Sequence, residues 1–265
     1  MPTRTGPILL CALLAACGGG SPDEGASTTA DGAAEPTTTA GGEAEPEPEP
    51  PPEEPVEPVV LRSTTPVPVP QPAVPRDELS EALQAVWTSV EEQVASQRPD
   101  APEENTIEAV QAWTEGPFQA WLVARREALD QTRPLLAEVP DDPPHERALA
   151  LALWAYAFED LGAQVAGVPV PERVARDREL LDIYVGSLNE ATIPIGERAV
   201  ELYADCQQRL QALGDDSEWL PWRAYCVQRG QEVIEGYGLE EHAARAEDEA
   251  ENDAEPEEDG AEPTS

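Results

Sequence analysis

The sequence predicts an all-α protein, either a helical bundle or a short irregular array of helical hairpins, with about seven helices. Apolar residues recur at three- and four-residue spacing between Asp77 and Gly238, which is the period of a helix with one buried face. The apolar–polar alternation of strands is absent from this region, and proline and glycine separate the periodic segments. A polar linker precedes this domain and an acidic tail follows it.

Composition divides the chain into four parts. We predict a signal peptide over 1–16, a disordered tether that begins with a lipidated cysteine over 17–76, the helical domain over 77–238, and a disordered acidic tail over 239–265. The tether is rich in Pro, Glu, Gly and Thr and cannot bury enough apolar surface to offset its ordering entropy. Its stretch from Thr65 to Pro72 alternates with proline, which favours the extended polyproline II helix.

The first sixteen residues have the organisation of an export signal. One positive charge at Arg4 precedes a short apolar run, and two small residues precede Cys17. The run is shorter than the roughly 20 apolar residues that a transmembrane helix requires. An ordinary cleaved signal with an incidental cysteine is the alternative.

The segment Leu14-Ala15-Ala16-Cys17 resembles the lipobox of bacterial lipoproteins. The resemblance implies cleavage before Cys17, a diacylglyceryl group on its sulfur, and a further fatty acyl group on the new amino terminus. Gly18 stands where lipoproteins retained at the inner membrane often carry Asp. We therefore expect a lipid-anchored protein of the bacterial cell envelope, at the outer rather than the inner membrane.

The first three helices are read from apolar faces and breakers. Leu79, Leu83, Val86, Val90 and Val94 form one face of the first helix. Asn105 and Glu108 are expected to cap a short second helix. Gly116-Pro117 is expected to separate it from a third helix, which Pro134 should kink or end.

Four more helices are expected after residue 141. Asp142 should cap the fourth, whose uninterrupted apolar stretch over 148–158 predicts burial on nearly all sides. Pro169 and Pro171 open the fifth, which we expect to end before Pro194. A sixth helix then runs to about residue 213, and a seventh extends from Trp219 to Tyr237.

Cys206 and Cys226 form the one even pair left after Cys11 in the signal and Cys17 at the anchor. They lie equally far from a turn near Asp215 and Asp216, so two antiparallel helices would bring them opposite each other. A disulfide is the expectation in an exported chain. Two buried free thiols are the alternative.

The same hairpin, with Tyr203, Cys206, Leu213-Gly214, Trp219 and Cys226, resembles the closing helix pair of tetratricopeptide-like repeats. The resemblance covers about forty residues. It implies a scaffold that binds other proteins.

Charge restricts the partners. The formal net charge is −38, from 54 acidic and 16 basic residues, and every basic residue is arginine. Nucleic acid is excluded as a partner because phosphate backbones require cationic surfaces. Electrostatic docking on anionic lipid is disfavoured for the same reason, so the anchor alone would hold the membrane.

Sequence motifs offer no catalytic residues and no metal ligands. His145 begins a His-Glu-x-x-His pattern, but Leu149 occupies the position of the second histidine. We interpret His145 and His242 as surface residues, and the acidic tail as solvated charge rather than a calcium site. No cofactor is expected beyond the covalent lipid on Cys17.

Six tryptophans are expected to anchor the core, although an exposed one could mark a binding groove: Trp87, Trp113, Trp121, Trp154, Trp219 and Trp222. The leading hypothesis is a membrane-anchored, non-enzymatic helical domain that binds a protein or peptide between its helices. The alternatives are an envelope hydrolase with an unrecognised carboxylate site and a purely structural spacer.

Overall fold

The computed structural model describes residues 59–214 and 217–240. The chain divides into two units, Met1–Pro58 and Val59–Ser265, and the described residues belong to the second. Every regular element among them is helical, so the predicted all-α class is confirmed. The signal peptide, Cys17, the linker before residue 59 and the tail from residue 241 lie outside the described residues.

The described part of the chain contains seven α-helices, in chain order α1 Glu81–Ala95, α2 Ile107–Trp113, α3 Gln119–Glu138, α4 Pro144–Ala166, α5 Glu172–Ala175, α6 Arg178–Gln211 and α7 Leu220–Tyr237. A short 3₁₀ turn, Arg76–Glu78, precedes α1. The longest interface is between α4 and α6, and α7 packs against α6, whereas α1 contacts α3 and α4.

Helix α1 is present as predicted but begins at Glu81, so Leu79 of the predicted face lies before it. The Ser80 hydroxyl accepts a hydrogen bond from the Leu83 amide and so satisfies one of the free N–H groups of the first turn. Leu83, Val86 and Val90 of the predicted apolar face are at most 1% exposed. The helix is thus held by an apolar face against α3 and α4.

Helices α2 and α3 are not separated at Gly116-Pro117, contrary to the prediction. A π-helical turn, Thr114–Phe118, carries the chain through this dipeptide, since the wider turn accommodates a residue without an N–H donor. Pro134 likewise lies inside α3, which continues to Glu138. The cap of α2 is Thr106, whose hydroxyl accepts from the Ala109 amide, and not Asn105.

Helix α4 is the centre of the domain. Its predicted burial is observed, because most residues from Ala148 to Ala157 are almost fully inaccessible. The predicted cap at Asp142 is wrong by one position: Pro143 is the cap residue and Pro144 opens the first turn, where its missing N–H costs nothing.

The start of the predicted fifth helix forms the separate short helix α5, Glu172–Ala175, and its remainder joins the predicted sixth helix in one helix of 34 residues, α6, with Pro194 in its interior. An internal proline costs about 3 kcal/mol or more in an isolated helix. Here α6 has its largest interface with α4, and this burial outweighs the lost hydrogen bond. The sequence predicted a helix boundary at Pro194 because the packing of α6 against α4 cannot be inferred from local pattern.

Helix α7 ends at Tyr237 and is capped by Gly238, which has a φ of +65°. This left-handed conformation closes the last turn and suits glycine, because a Cβ atom would be strained there. Cys226 of α7 and Cys206 of α6 form the expected disulfide, with sulfur atoms 2.07 Å apart and Cα atoms 6.2 Å apart. The two helices are therefore joined covalently near the turn between them.

The folded unit begins earlier than predicted. We call residues 59–72 the strap, because this extended segment lies across α6, α7 and α4 and hydrogen-bonds to all three. The predicted disordered tether is thus wrong for residues 59–75. Composition alone missed the contact because the strap is held largely by hydrogen bonds of its backbone, which do not depend on residue type.

Candidate functional site

The first part of the strap is held by side chains of α6. The Asn189 side chain accepts a hydrogen bond from the Arg62 amide at 2.7 Å and donates one to the Val60 carbonyl at 2.9 Å. The Val59 amide donates to Asp182 at 3.3 Å. One asparagine side chain therefore pairs with the strap backbone as a neighbouring β-strand would.

The second part of the strap is held by three side chains of α7. Trp222 donates to the Gln71 carbonyl at 3.1 Å, Tyr225 to the Val67 carbonyl at 2.8 Å, and Arg229 to the Thr65 carbonyl at 3.1 Å. The donors are spaced by three and four residues and so share one helix face. A polyproline II segment makes no internal hydrogen bonds, so its carbonyls are free to accept.

Glu159 of α4 lies at the centre of this arrangement and is 1% exposed. Its carboxylate accepts from the hydroxyls of Thr64 at 3.0 Å and Tyr203 at 2.6 Å, and forms a buried ion pair with the Arg229 guanidinium. Each of these donors comes from a different element. The strap, α6 and α7 are thus joined at one buried carboxylate.

Two glycines at the end of α7 allow the strap to come close. A Cβ atom at Gly236 would lie 2.5 Å from the Thr64 methyl carbon, and one at Gly238 would lie 2.9 Å from the Arg62 guanidinium carbon. Any larger side chain would push the strap away. We call the surface formed by Asn189, Tyr203, Glu159 and this face of α7 the strap groove.

Burial raises the pKa of the tyrosines in the strap groove. Tyr203 titrates well above its ordinary range because of burial and the nearby Tyr225 and Glu159. Burial lowers the pKa of Arg229, but the hydrogen bond and charge of Glu159 more than compensate, so its net pKa is raised. The groove therefore keeps neutral phenols and a charged guanidinium at neutral pH.

A second buried ion pair lies on an adjacent face of α4. Arg125 of α3 donates to Asp160 at 2.6 Å, and Arg125 is 2% exposed. The Nε and one terminal nitrogen of Arg125 have no partner. Burial lowers the pKa of Arg125 and raises that of Asp160, with each partner's charge opposing the change in the other.

The remaining predicted residues have structural contacts. All six tryptophans are buried, the most exposed being Trp121 at 9%, so none forms an exposed platform. The His145 ring is half-buried and stacks on Trp219 at 4.3 Å, and burial lowers its pKa. His242 lies outside the described residues.

Sequence reading missed Glu159 and Arg229. A signal was present: Glu159-Asp160 follows directly after the apolar stretch of α4, and Arg229 lies on the stripe of Cys226 and Val233 at three- and four-residue spacing. Charged residues on a buried face require partners. What the sequence could not supply is which charges pair.

The surface of the described region has open hollows. One lies on the outer side of α7 beside Val227, and another lies between α1 and α3. No group of three or more potential metal ligands occurs among the described residues. In residues 59–214 and 217–240, no helix has the length and apolar character needed to cross a bilayer.

A scan against protein-family models finds no match, and neither do comparisons with curated proteins and with solved structures. The resemblances to lipoproteins and to tetratricopeptide-like repeats therefore stay predictions from sequence.

Proposed function

We propose that this chain is a lipid-anchored protein of the bacterial cell envelope that presents a helical, non-enzymatic domain for binding another protein. The observation that carries the proposal is the seating of the strap. The chain between Cys17 and residue 59 leads directly into a segment hydrogen-bonded to three helices, so the domain would be held at a defined point of its surface.

The assignment of the buried charges supports a scaffold more than an enzyme. Glu159 and Arg229 bind each other and the strap, and Arg125 binds Asp160. These groups hold helices together and do not converge on an open cavity. A catalytic carboxylate would need access to substrate, and these carboxylates are at most 7% exposed.

A surface for the partner lies where the linker reaches the domain. Val59, Val60 and Leu61 of the strap and Leu180 and Ile183 of α6 are between 38% and 72% exposed. Val59 bonds to Asp182, the neighbour of Ile183, so the two groups lie side by side. We call these five residues the linker-side patch. Exposed apolar clusters of this kind are typical of protein contact sites.

Intact mass of the chain purified from bacterial membranes tests the anchor. The expected product begins at Cys17 and carries a diacylglyceryl group and an amide-linked acyl chain. The Cys17→Ser variant serves as the control and should remain uncleaved and without lipid. A wild-type product that begins elsewhere or has no acyl mass contradicts the anchor.

Photo-crosslinking in cells tests the scaffold. A photoreactive residue at Ile183, in the linker-side patch, should give one discrete protein adduct, and Leu180→Glu should abolish it. The same photoreactive residue at Glu127, exposed on α3, is the matched control and should not give that adduct. Absence of any adduct specific to position 183 contradicts protein binding at the patch and favours the structural spacer.

A further inference from the structure

The strap groove recognises an extended chain mainly through its backbone. Trp222, Tyr225 and Arg229 all donate to strap carbonyls, and none of these three bonds depends on a strap side chain. Proline at alternate positions favours the extended form and reduces the entropy lost on binding. The groove is therefore suited to a neutral proline-rich segment in polyproline II conformation.

An empty groove would be costly. Trp222 is 1% exposed and Arg229 is 3% exposed with the strap in place. Without the strap, the Glu159 carboxylate loses the Thr64 hydroxyl and the aromatic face of α7 meets water. A chain whose strap detaches therefore gains stability from any second segment with the same chemistry.

The sequence limits which segments qualify. The alternate positions of the strap carry Thr65, Val67, Val69 and Gln71, which are neutral. The other proline repeat of the chain carries Glu between its prolines over residues 45–50, and a carboxylate at the half-buried position of Val69 would be partly desolvated. The segment that fits is the strap itself, either from the same chain or from another copy.

The strap is joined to the rest of the domain by a short connection. Three residues, 73–75, separate it from the turn at Arg76, and the strap's bonds to α6, α7 and α4 are all non-covalent. When two copies of the chain exchange identical segments, every one of these bonds is kept and no new kind of contact is required. Residues 73–75 are the hinge about which the strap would turn in such an exchange.

We propose that the strap groove also receives the strap of a second copy of this chain, giving a reciprocally exchanged dimer. The exchange follows from the groove and the hinge and does not depend on the lipid anchor. Where the chain is anchored, as proposed above, two copies on one membrane would meet at a higher effective concentration.

A disulfide between strap and groove tests the proposal. The Thr64 methyl carbon lies 2.5 Å from a Cβ atom built at Gly236, so Cβ atoms at positions 64 and 236 are at most about 4.0 Å apart, within reach of a disulfide. The double variant Thr64→Cys/Gly236→Cys is made in the full chain with Cys11→Ser and Cys17→Ser. Light and isotopically heavy chains are unfolded, mixed, refolded and oxidised.

The expected result is a reductant-sensitive dimer whose fraction rises with protein concentration, with light–heavy peptide pairs joining positions 64 and 236. The matched control, Thr64→Cys/Gln231→Cys, places the second thiol at an exposed position of α7 outside the groove and should not give this dimer. Only intrachain 64–236 disulfides at every concentration would overturn the exchange. Because a cysteine at position 236 places a Cβ atom 2.9 Å from the Ser63 carbonyl oxygen, the chain with only Cys11→Ser and Cys17→Ser is refolded in parallel, and strap amides that exchange freely in it would overturn the seat of the strap as well. Absence of any 64–236 disulfide, together with no concentration-dependent dimer of this parallel chain by size-exclusion chromatography, would also overturn the exchange.

Discussion

Glu159 and Asp160 are neighbours in sequence, yet they serve two different regions of the domain. Glu159 faces the strap groove and has donors from the strap, α6 and α7. Asp160 faces α3 and pairs with Arg125, which keeps two nitrogens without a partner. The first carboxylate is surrounded by donors, whereas the second lies in an incompletely satisfied pair.

This comparison shows that two ion pairs buried to a similar extent need not contribute equally to the free energy of unfolding. A buried pair stabilises a fold when its desolvation is offset by further hydrogen bonds, and it is nearly neutral when it is not. The Glu159 pair also fixes a segment far away in sequence, since Thr64 and Glu159 are 95 residues apart. We therefore expect substitutions in the strap groove to lower the free energy of unfolding more than substitutions at the Arg125–Asp160 pair.

Alkaline pH should have the largest effect, and mainly through the groove. Burial raises the pKa of Tyr203, Tyr225 and Tyr237, so the folded state keeps protons that the unfolded state loses above pH 10. Stability is therefore full below pH 10 and falls by about 1.4 kcal/mol per pH unit for each such tyrosine up to its folded pKa.

Guanidinium unfolding at pH 7 to 11.5, with phenolate absorbance recorded in parallel, measures this loss. Burial also raises the pKa of Tyr184 to about 12 and raises that of Tyr156, so all five tyrosines of the chain are affected, and no lysine titrates in this range. If phenolate absorbance appears near pH 10 while the chain is still folded, the result would contradict the burial of the tyrosines and the raised pKa that follows from it.

Replacing the two ion pairs by apolar residues compares the regions directly. Arg125→Met/Asp160→Leu should be neutral or stabilising, because it removes the unpaired guanidinium nitrogens. Glu159→Leu/Arg229→Met should destabilise, since Thr64, Tyr203 and the Thr65 carbonyl each lose a partner at about 1–3 kcal/mol. Denaturant unfolding of both double variants measures the difference.

The single variant Arg229→Ala should cost about 3–5 kcal/mol, because it leaves a buried carboxylate without its counter-charge. If the two double variants lose the same free energy of unfolding, the strap contacts add nothing to the stability that the Glu159 pair provides.

Loss of the disulfide should have an intermediate effect. Cys206→Ala/Cys226→Ala removes a link between residues 20 apart in sequence, which stabilises by about 3 kcal/mol. Hydrogen exchange should speed up most in α6 and α7, because the link joins these two helices, and least in α1. Uniform acceleration would indicate that the domain opens only as a whole.

Two glycines around Tyr237 give the smallest expected effect. A Cβ atom at Gly162 would meet the Tyr237 hydroxyl, whereas one at Gly196 would meet the ring at 2.7 Å. Each alanine variant should cost about 1–3 kcal/mol through overpacking. Tyr237→Phe should relieve Gly162→Ala but not Gly196→Ala, and a double-mutant cycle by thermal unfolding separates the two.

Much of the fold follows from local pattern. The face of α1, the burial of α4 and the pairing of Cys206 with Cys226 were predictable, because helical spacing and equal distances from a turn are written in the sequence. The continuity of α6 through Pro194 could not be predicted, because its packing along α4 outweighs the local cost of proline. The partners of Glu159 were not predictable either, because they come from three separate elements.

By itself, the sequence determined that this chain is helical, where its apolar faces lie and which cysteines pair, since these depend on neighbours within a few turns. Only the tertiary structure decided that a proline-rich segment belongs to the folded unit. The reason is physical: the strap is held largely by backbone amide and carbonyl groups, which nearly every residue has, and the side chains that bind them meet only after α4, α6 and α7 have packed.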